Sequence, residues 1–327
     1  MIIVGMTELA FDSLATPALS PEHSQGGARL SDWGVIRAEG ADAASFLQGQ
    51  LTSDITGLAS GAATLAGYCS AKGRLLASFI VWSPAPEVYL LACSADLLPA
   101  TLKRLSMFVL RAKCRLTDAG GELALWGVAG RDAGLPEGAE WTVQPAGAGQ
   151  AVRLPDALGL PRWLVVQPVG DAAPVPAPLD PAAWRWLEVA SGVVRIVAAT
   201  VDRFVPQMVN LELVGGVNFK KGCYPGQEVV ARSQYRGTLK RRALLLALPA
   251  GAQAELAEGQ EIFHEADPGQ PAGLVALAAS SPAGEQLALV EVKLALARAA
   301  GAFRLAAADG PLLQPRALPY PLPSNDD

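Results

Sequence analysis

From Trp33 to Ala38 apolar and polar residues alternate with the two-residue period of a half-buried strand. Asp42 then stands where an N-cap belongs, ahead of AASFLQGQL, whose apolar positions follow helical spacing. Two apolar runs, Ala63 to Cys69 and Leu75 to Trp82, flank Ser70-Ala71-Lys72-Gly73, a short connection with a glycine that predicts a hairpin. Val88 to Cys93 adds a strand. Leu97 to Leu110 is amphipathic and carries Lys103, Arg104 and Arg111 toward its C-terminal half, where cations suit the helix dipole, so it predicts a helix packed on that sheet. Short apolar runs follow, Leu123 to Val128 and Arg162 to Gln167, set among Gly, Pro and Ala without a fixed repeat.

Between Pro168 and Pro178 four prolines in eleven residues exclude a helix and a central strand, and mark a linker. Asp180-Pro181 opens the next helix with an N-cap and a proline at its first position, and Gly192 stops it. After Lys240 the pattern becomes a series of short strands, Ala243 to Leu248, Gly273 to Ala278, Gln286 to Leu294 and Phe303 to Ala306, spaced as in a small barrel or sandwich. The division expected is an α+β module over residues 1–242, with its linker at 168–178, and a β-barrel over 243–327.

A chain of 327 residues that is 51% hydrophobic and 17% charged is globular, and it has no uninterrupted apolar run of the roughly 18 residues that a membrane helix needs. The first twenty residues hold two carboxylates and no Lys or Arg, the wrong charge pattern for a targeting segment, so a cytoplasmic protein is expected. No heptad pattern argues for an oligomer, and a monomer is expected. The net charge of −5 repels nucleic acid and anionic membranes as a whole, so any anion site must be local. Four cysteines, at 69, 93, 114 and 223, form no CxxC pair or disulfide framework, and His23 and His264 are the only histidines; no metal site is expected.

The charge balance inverts between Asn218 and Arg242, in NFKKGCYPGQEVVARSQYRGTLKRR. Seven residues there are basic (Lys220, Lys221, Arg232, Arg236, Lys240, Arg241, Arg242) and one, Glu228, is acidic. Pro225-Gly226 turns the chain into a helix beginning near Gln227, which leaves Cys223 just ahead of its N-terminus, among lysines. Free N–H groups and ammonium charges favour a thiolate, so Cys223 is the candidate reactive group and Lys221 its candidate helper. Cys69, Cys93 and Cys114, in apolar strands, read as core filling. The Lys240-Arg241-Arg242 run suits an anionic or a protein partner, or else an ordinary solvated strand end. Apart from Tyr235 no aromatic residue accompanies it, so direct reading of RNA bases is not supported.

KGCYPGQE, Lys221 to Glu228, resembles the K-G-C-Y-x-G-Q-E signature of the YgfZ-like folate-binding proteins, relatives of the glycine-cleavage T protein (aminomethyltransferase). The resemblance extends over Val205 to Arg242, over WGVIRAEGADAASFLQGQLTSDI from Trp33, and to AKGR (Ala71 to Arg74), KRLSMFVLRAK (Lys103 to Lys113) and LPY (Leu318 to Tyr320). It is weakest between Gly130 and Asp180. It implies an α+β fold of two lobes and a C-terminal β-barrel around a central cavity that holds a tetrahydrofolate or a one-carbon derivative. Trp33 and Trp184 are the implied ring contacts, with Trp186 as the neighbour a small shift in register would substitute. Tyr224, Gln227, Glu228 and Arg232 of the signature complete the implied folate-binding set, with Cys223 at the lip of the hollow.

Two departures bear on activity. Aminomethyl transfer needs a carboxylate beside the folate nitrogen, and the T proteins carry an aspartate where this chain has Leu76 and Ala77. The glutamate that holds the pterin in many relatives is replaced by Ala190, and Glu188, two residues earlier and about 200° around a helix, is expected to point elsewhere. The reading that results is a folate-binding accessory protein that supports iron–sulfur enzymes and tRNA modification, with iron–sulfur or tRNA-modifying enzymes as partners. The alternatives are a folate-dependent aminomethyltransferase-like enzyme and a folate-independent thiol-based redox or transferase enzyme.

Overall fold

The computed structural model describes residues 25–236 and 239–323. The N-terminal stretch whose charge argued against targeting, and His23 with it, lies outside those residues.

The chain begins in one lobe, crosses to another and returns. Strand β1 (Gly26–Arg29) is followed by β2 (Trp33–Glu39), α1 (Ala43–Gln48), β3 (Ala63–Cys69), β4 (Leu75–Ala85), β5 (Val88–Ser94), α2 (Leu98–Val109) and β6 (Arg115–Asp118). Five of these strands pair antiparallel in the order β3-β4-β5-β2-β6 and form the first lobe's sheet. The expected hairpin joins β3 to β4. Helix α2 buries Leu98, Thr101 and Leu105, while Met107, Phe108 and Leu110 at its far end are exposed. Asp42 precedes α1 but does not cap it: its carboxylate accepts from the backbone N–H of Lys113 instead, at 2.7 Å, and so ties the helix start to the segment entering β6.

The second lobe takes β7 (Leu123–Ala129), β8 (Val143–Ala146), β9 (Gly149–Ala157) and β10 (Leu160–Pro168), with β1 as an edge, in the order β1-β7-β10-β9-β8. The proline-rich linker runs back along β1, where Leu179 N–H donates to Gly27 O at 2.9 Å, and an edge is the one place in a sheet where missing N–H donors are tolerated. It delivers the chain to α3 (Pro181–Ala190), whose N-cap Asp180 accepts from Ala182 N–H as the sequence predicts. Helix α4 (Gln227–Tyr235) follows the signature.

Six strands, β11 (Arg241–Leu248), β12 (Glu261–His264), β13 (Gly273–Ser280), β14 (Gln286–Lys293), β15 (Phe303–Leu305) and β16 (Leu312–Arg316), close into a barrel. Arg241 and Arg242, read with the basic run of the α+β module, are the first residues of its first strand. Strands β12 and β16 escape the periodicity because each is short and depends on its neighbours for pairing. The barrel packs on α3 through β13 and β14. None of the described helices is long and apolar enough to cross a membrane.

Candidate functional site

Two regions carry chemistry, and they are distinct. The first is the signature segment. Gly226, in the left-handed region at φ +77°, starts α4 against the β3–β4 turn: a Cβ there would fall 2.4 Å from the Ser70 carbonyl oxygen and 2.6 Å from Gly73 Cα. Only glycine permits that approach, so AKGR and KGCYPGQE meet backbone to backbone. Tyr224 is buried beneath the Lys221 ammonium, which lies 5.1 Å from its ring centroid. Lys221 Nζ donates to the carbonyl oxygens of Gln48 and, at 2.6 Å, Leu51, at the end of α1. Burial lowers its pKa to about 8, against the opposing pull of Asp54 and of a thiolate at Cys223. Lys221 is thus a clamp on the first lobe as well as a charge beside the cysteine.

Cys223 is exposed, whereas Cys69, Cys93 and Cys114 are buried. Burial pushes the thiols of Cys69 and Cys93 up to about 12 and that of Cys114 to about 11. Gln227 is half-buried in the first turn of α4, and Glu228 and Arg232 face solvent. Lys220, Arg236 and Lys240 are exposed nearby in sequence. The last two members of the basic run are not: Arg242 is buried in an ion pair with Glu212, and Arg241 donates to both carboxylate oxygens of Glu291 at 2.9 Å. They fasten the barrel and offer nothing to an anionic partner.

The second region is a slot between the lobes. Trp33, at the head of β2, and Trp184, in the first turn of α3, both line it. Gly127 on β7 makes room for the second ring, since a Cβ there would fall 2.2 Å from the indole. Trp186 is buried but does not line the slot, so helix register selects Trp184. The remaining walls include Phe79 and Ile80 of β4, Trp141, Leu154 and Arg162 of the second lobe, and Glu188 and Arg195. The cavity volume is about 40 Å³, room for a few waters, so a bicyclic ring needs the surrounding side chains to move.

Glu188 corrects an expectation. It stands one turn beyond Trp184, at i+4 on the same face, and therefore points into the slot rather than away from it. Its carboxylate is already engaged: Arg195 Nε donates to one oxygen at 2.6 Å and Nη2 reaches the other at 3.3 Å. Arg195 also donates to Asp32 Oδ2 at 2.8 Å and Ser94 Oγ at 2.9 Å, and its guanidinium lies 4.8 Å from the Trp33 ring centroid. Burial works against that charge, but Glu188 and then Asp32 outweigh it and raise the pKa of Arg195. Arg185 extends the chain of charges from Asp32, at 2.8 Å, to Glu258 of the barrel, at 2.9 Å. Arg195 and Arg162 were not singled out from the sequence, although a lone charge in an apolar run, as in VVRIV and RWLVV, is a signal for a buried ion pair or ligand contact.

The slot's polarity is one-sided. The indole N–H groups of Trp33 and Trp184 are buried without a hydrogen-bond partner among the described residues, as are those of Trp126 and Trp186, which do not line the slot. An indole N–H lies in the plane of its ring, so such donors suit the acceptor edge of a polar heteroaromatic ligand such as a pterin, not a ring stacked on the indole face. Cys223, Tyr224, Gln227, Glu228 and Arg232 are not among the lining residues, so the thiol and the tryptophan pair occupy separate places. No group of three His, Cys, Asp or Glu residues stands together to hold a metal among the described residues.

No protein-family model matches the chain. Among curated proteins, the tRNA-modifying protein YgfZ of Edwardsiella ictaluri (strain 93-146) is 40% identical over 232 residues, 66% of this chain and 69% of the relative. The protein of the same name from Serratia proteamaculans (strain 568) is 31% identical over 249 residues, 71% of this chain and 74% of the relative. That of Vibrio vulnificus (strain CMCP6) is 34% identical over 223 residues, 65% and 67%. Among solved structures, the glycine cleavage system aminomethyltransferase T from Bartonella henselae superposes with a TM-score of 0.69 at 18% identity, covering 92% of this chain and 89% of that one. The overall architecture is therefore that of the T-protein fold.

Proposed function

The chain belongs to the family of the tRNA-modifying protein YgfZ, and on that premise we propose that it is a folate-binding accessory protein of tRNA modification. It takes the pterin of a tetrahydrofolate, or of a one-carbon derivative, into the slot between its lobes. Trp33 and Trp184 stack on the ring, and Cys223 is the reactive group presented to the iron–sulfur enzymes it supports. The observation that carries this reading is that Trp33 and Trp184, from different elements, line one buried slot between the lobes.

A binding role is supported over aminomethyl transfer by the acid–base inventory. Leu76 and Ala77 supply no carboxylate, and the slot's Glu188 is tied to the Arg195 guanidinium through both oxygens. The exposed position of Cys223, outside the slot, favours a second reading in which the thiol reacts with a macromolecular partner and folate acts elsewhere. Lys220, Arg232, Arg236 and Lys240 would give that surface its attraction for an anionic partner. Direct titration of the purified protein with tetrahydrofolate and its methylene and formyl forms tests the proposal. Saturable binding of at least one is expected; absence of binding by all three removes it.

A further inference from the structure

Arg162, near the start of β10, is 3% exposed, yet no carboxylate lies within ion-pair distance of it among the described residues. Its Nε and Nη2 both donate to one acceptor, the Pro155 carbonyl oxygen, at 3.1 and 3.0 Å, and its Nη1 donates to no described residue. The guanidinium lies 5.4 Å from the Trp184 ring centroid and lines the slot beside both unpartnered indoles. Desolvation lowers its pKa to about 10. The two acids nearest in effect are committed elsewhere, Glu188 to Arg195 and Asp156 to Arg153.

An unpaired cation out of water is among the most costly groups a fold can hold. Arg195, a few residues away in space, shows how this protein neutralises a buried guanidinium when the role is structural: two carboxylates and a hydroxyl surround it. Arg162 has no such partners: one backbone carbonyl is its only hydrogen-bond acceptor among the described residues, and it lines the slot beside Trp33 and Trp184.

We propose that Arg162 is a ligand-binding residue that reads the acceptor edge of the bound ring, its guanidinium donating to the ring's carbonyl oxygen while the indoles enclose the faces. The inference rests on the folate reading and deepens it. The ring class required is a flat heterocycle with a carbonyl, as in a 4-oxopterin. The glutamate tail, flexible and doubly charged, lies outside the slot.

The test uses the full chain, with R162M and R162K variants, titrated with tetrahydrofolate, 6-methyltetrahydropterin (ring alone) and 4-aminobenzoylglutamate (tail alone), together with thermal unfolding without ligand. The wild type is expected to bind the first two and not the third. R162M weakens both by roughly tenfold or more, R162K recovers part of the loss, and the unliganded Tm of R162M equals or exceeds that of the wild type. Wild-type affinity in R162M, or binding by the tail alone, overturns the assignment and leaves the folate reading intact. So does a large fall in the unliganded Tm of R162M with undiminished binding by R162K, which makes the arginine a packing residue. A wild type that binds neither folate nor pterin removes both proposals together.

Discussion

Replacing Glu188 with alanine takes from Arg195 its closest partner and tests how the two lobes are held together. The pair is buried on both sides, with side-chain exposures of 4% and 8%, and the 2.6 Å bond is one of two between them. Breaking a buried pair by removing one member costs about 3–5 kcal/mol, because the other charge stays behind without compensation. Here the lower end applies. Asp32, whose side chain is 37% exposed, still holds Arg195 at 2.8 Å, and Ser94 accepts a further bond. About 3 kcal/mol is therefore expected, or a fall in Tm of roughly 6–12 °C for the two lobes unfolding as one unit of about 150–250 residues. Urea unfolding followed by tryptophan emission reports it directly, since Trp33 lies against the Arg195 guanidinium. The decisive comparison is with the double replacement E188L/R195M. Removing both charges eliminates the burial cost together with the attraction, so the double variant should be more stable than E188A. A single variant within 0.5 kcal/mol of wild type, or a double variant whose loss is the sum of the two singles, refutes the reasoning.

Cys223 should be alkylated well before the other three cysteines at pH 8, because a thiol raised to about 12, as Cys69 and Cys93 are, is ionised there to about one part in 10⁴; equal rates by peptide mass mapping would contradict this. Lys221, lowered to about 8, should acylate ahead of its neighbour Lys220 between pH 7.5 and 8, since about half of it is neutral where an ordinary lysine near 10.4 has well under 1% free amine; equal labelling would show that the two carbonyls keep it charged. Tetrahydrofolate should quench tryptophan emission in the wild type and not in a W33F/W184F variant, and a quench that survives moves the ring site elsewhere. G226A should lose about 2 kcal/mol or more, from left-handed strain together with the 2.4 Å approach to Ser70 O, with AKGR and the signature segment parted; an unchanged Tm would mean that the contact yields freely.

The sequence by itself determined the elements whose signals are local. The N-cap at Asp180, the stop at Gly192, the β3–β4 hairpin, the start of α4 near Gln227 and the long barrel strands are all written within a few residues of where they occur. The signature motif likewise marked Cys223 as unlike the other cysteines. Matters that depend on residues far apart in the chain were decided only in three dimensions. Asp42 had a backbone N–H from Lys113 within reach and used it in preference to capping. Arg241 and Arg242 found Glu291 and Glu212 and left the basic surface. Glu188 looked misplaced when counted from Ala190, but counted from Trp184 it is one turn away and on the slot's face. Strands β12 and β16 formed because a barrel must close on itself. The separation of the thiol from the tryptophan slot, and the unpaired charge of Arg162, follow from how two sheets and a helix meet. That meeting is fixed by packing and by the desolvation of charges, which depend on distances in space that residue order does not encode.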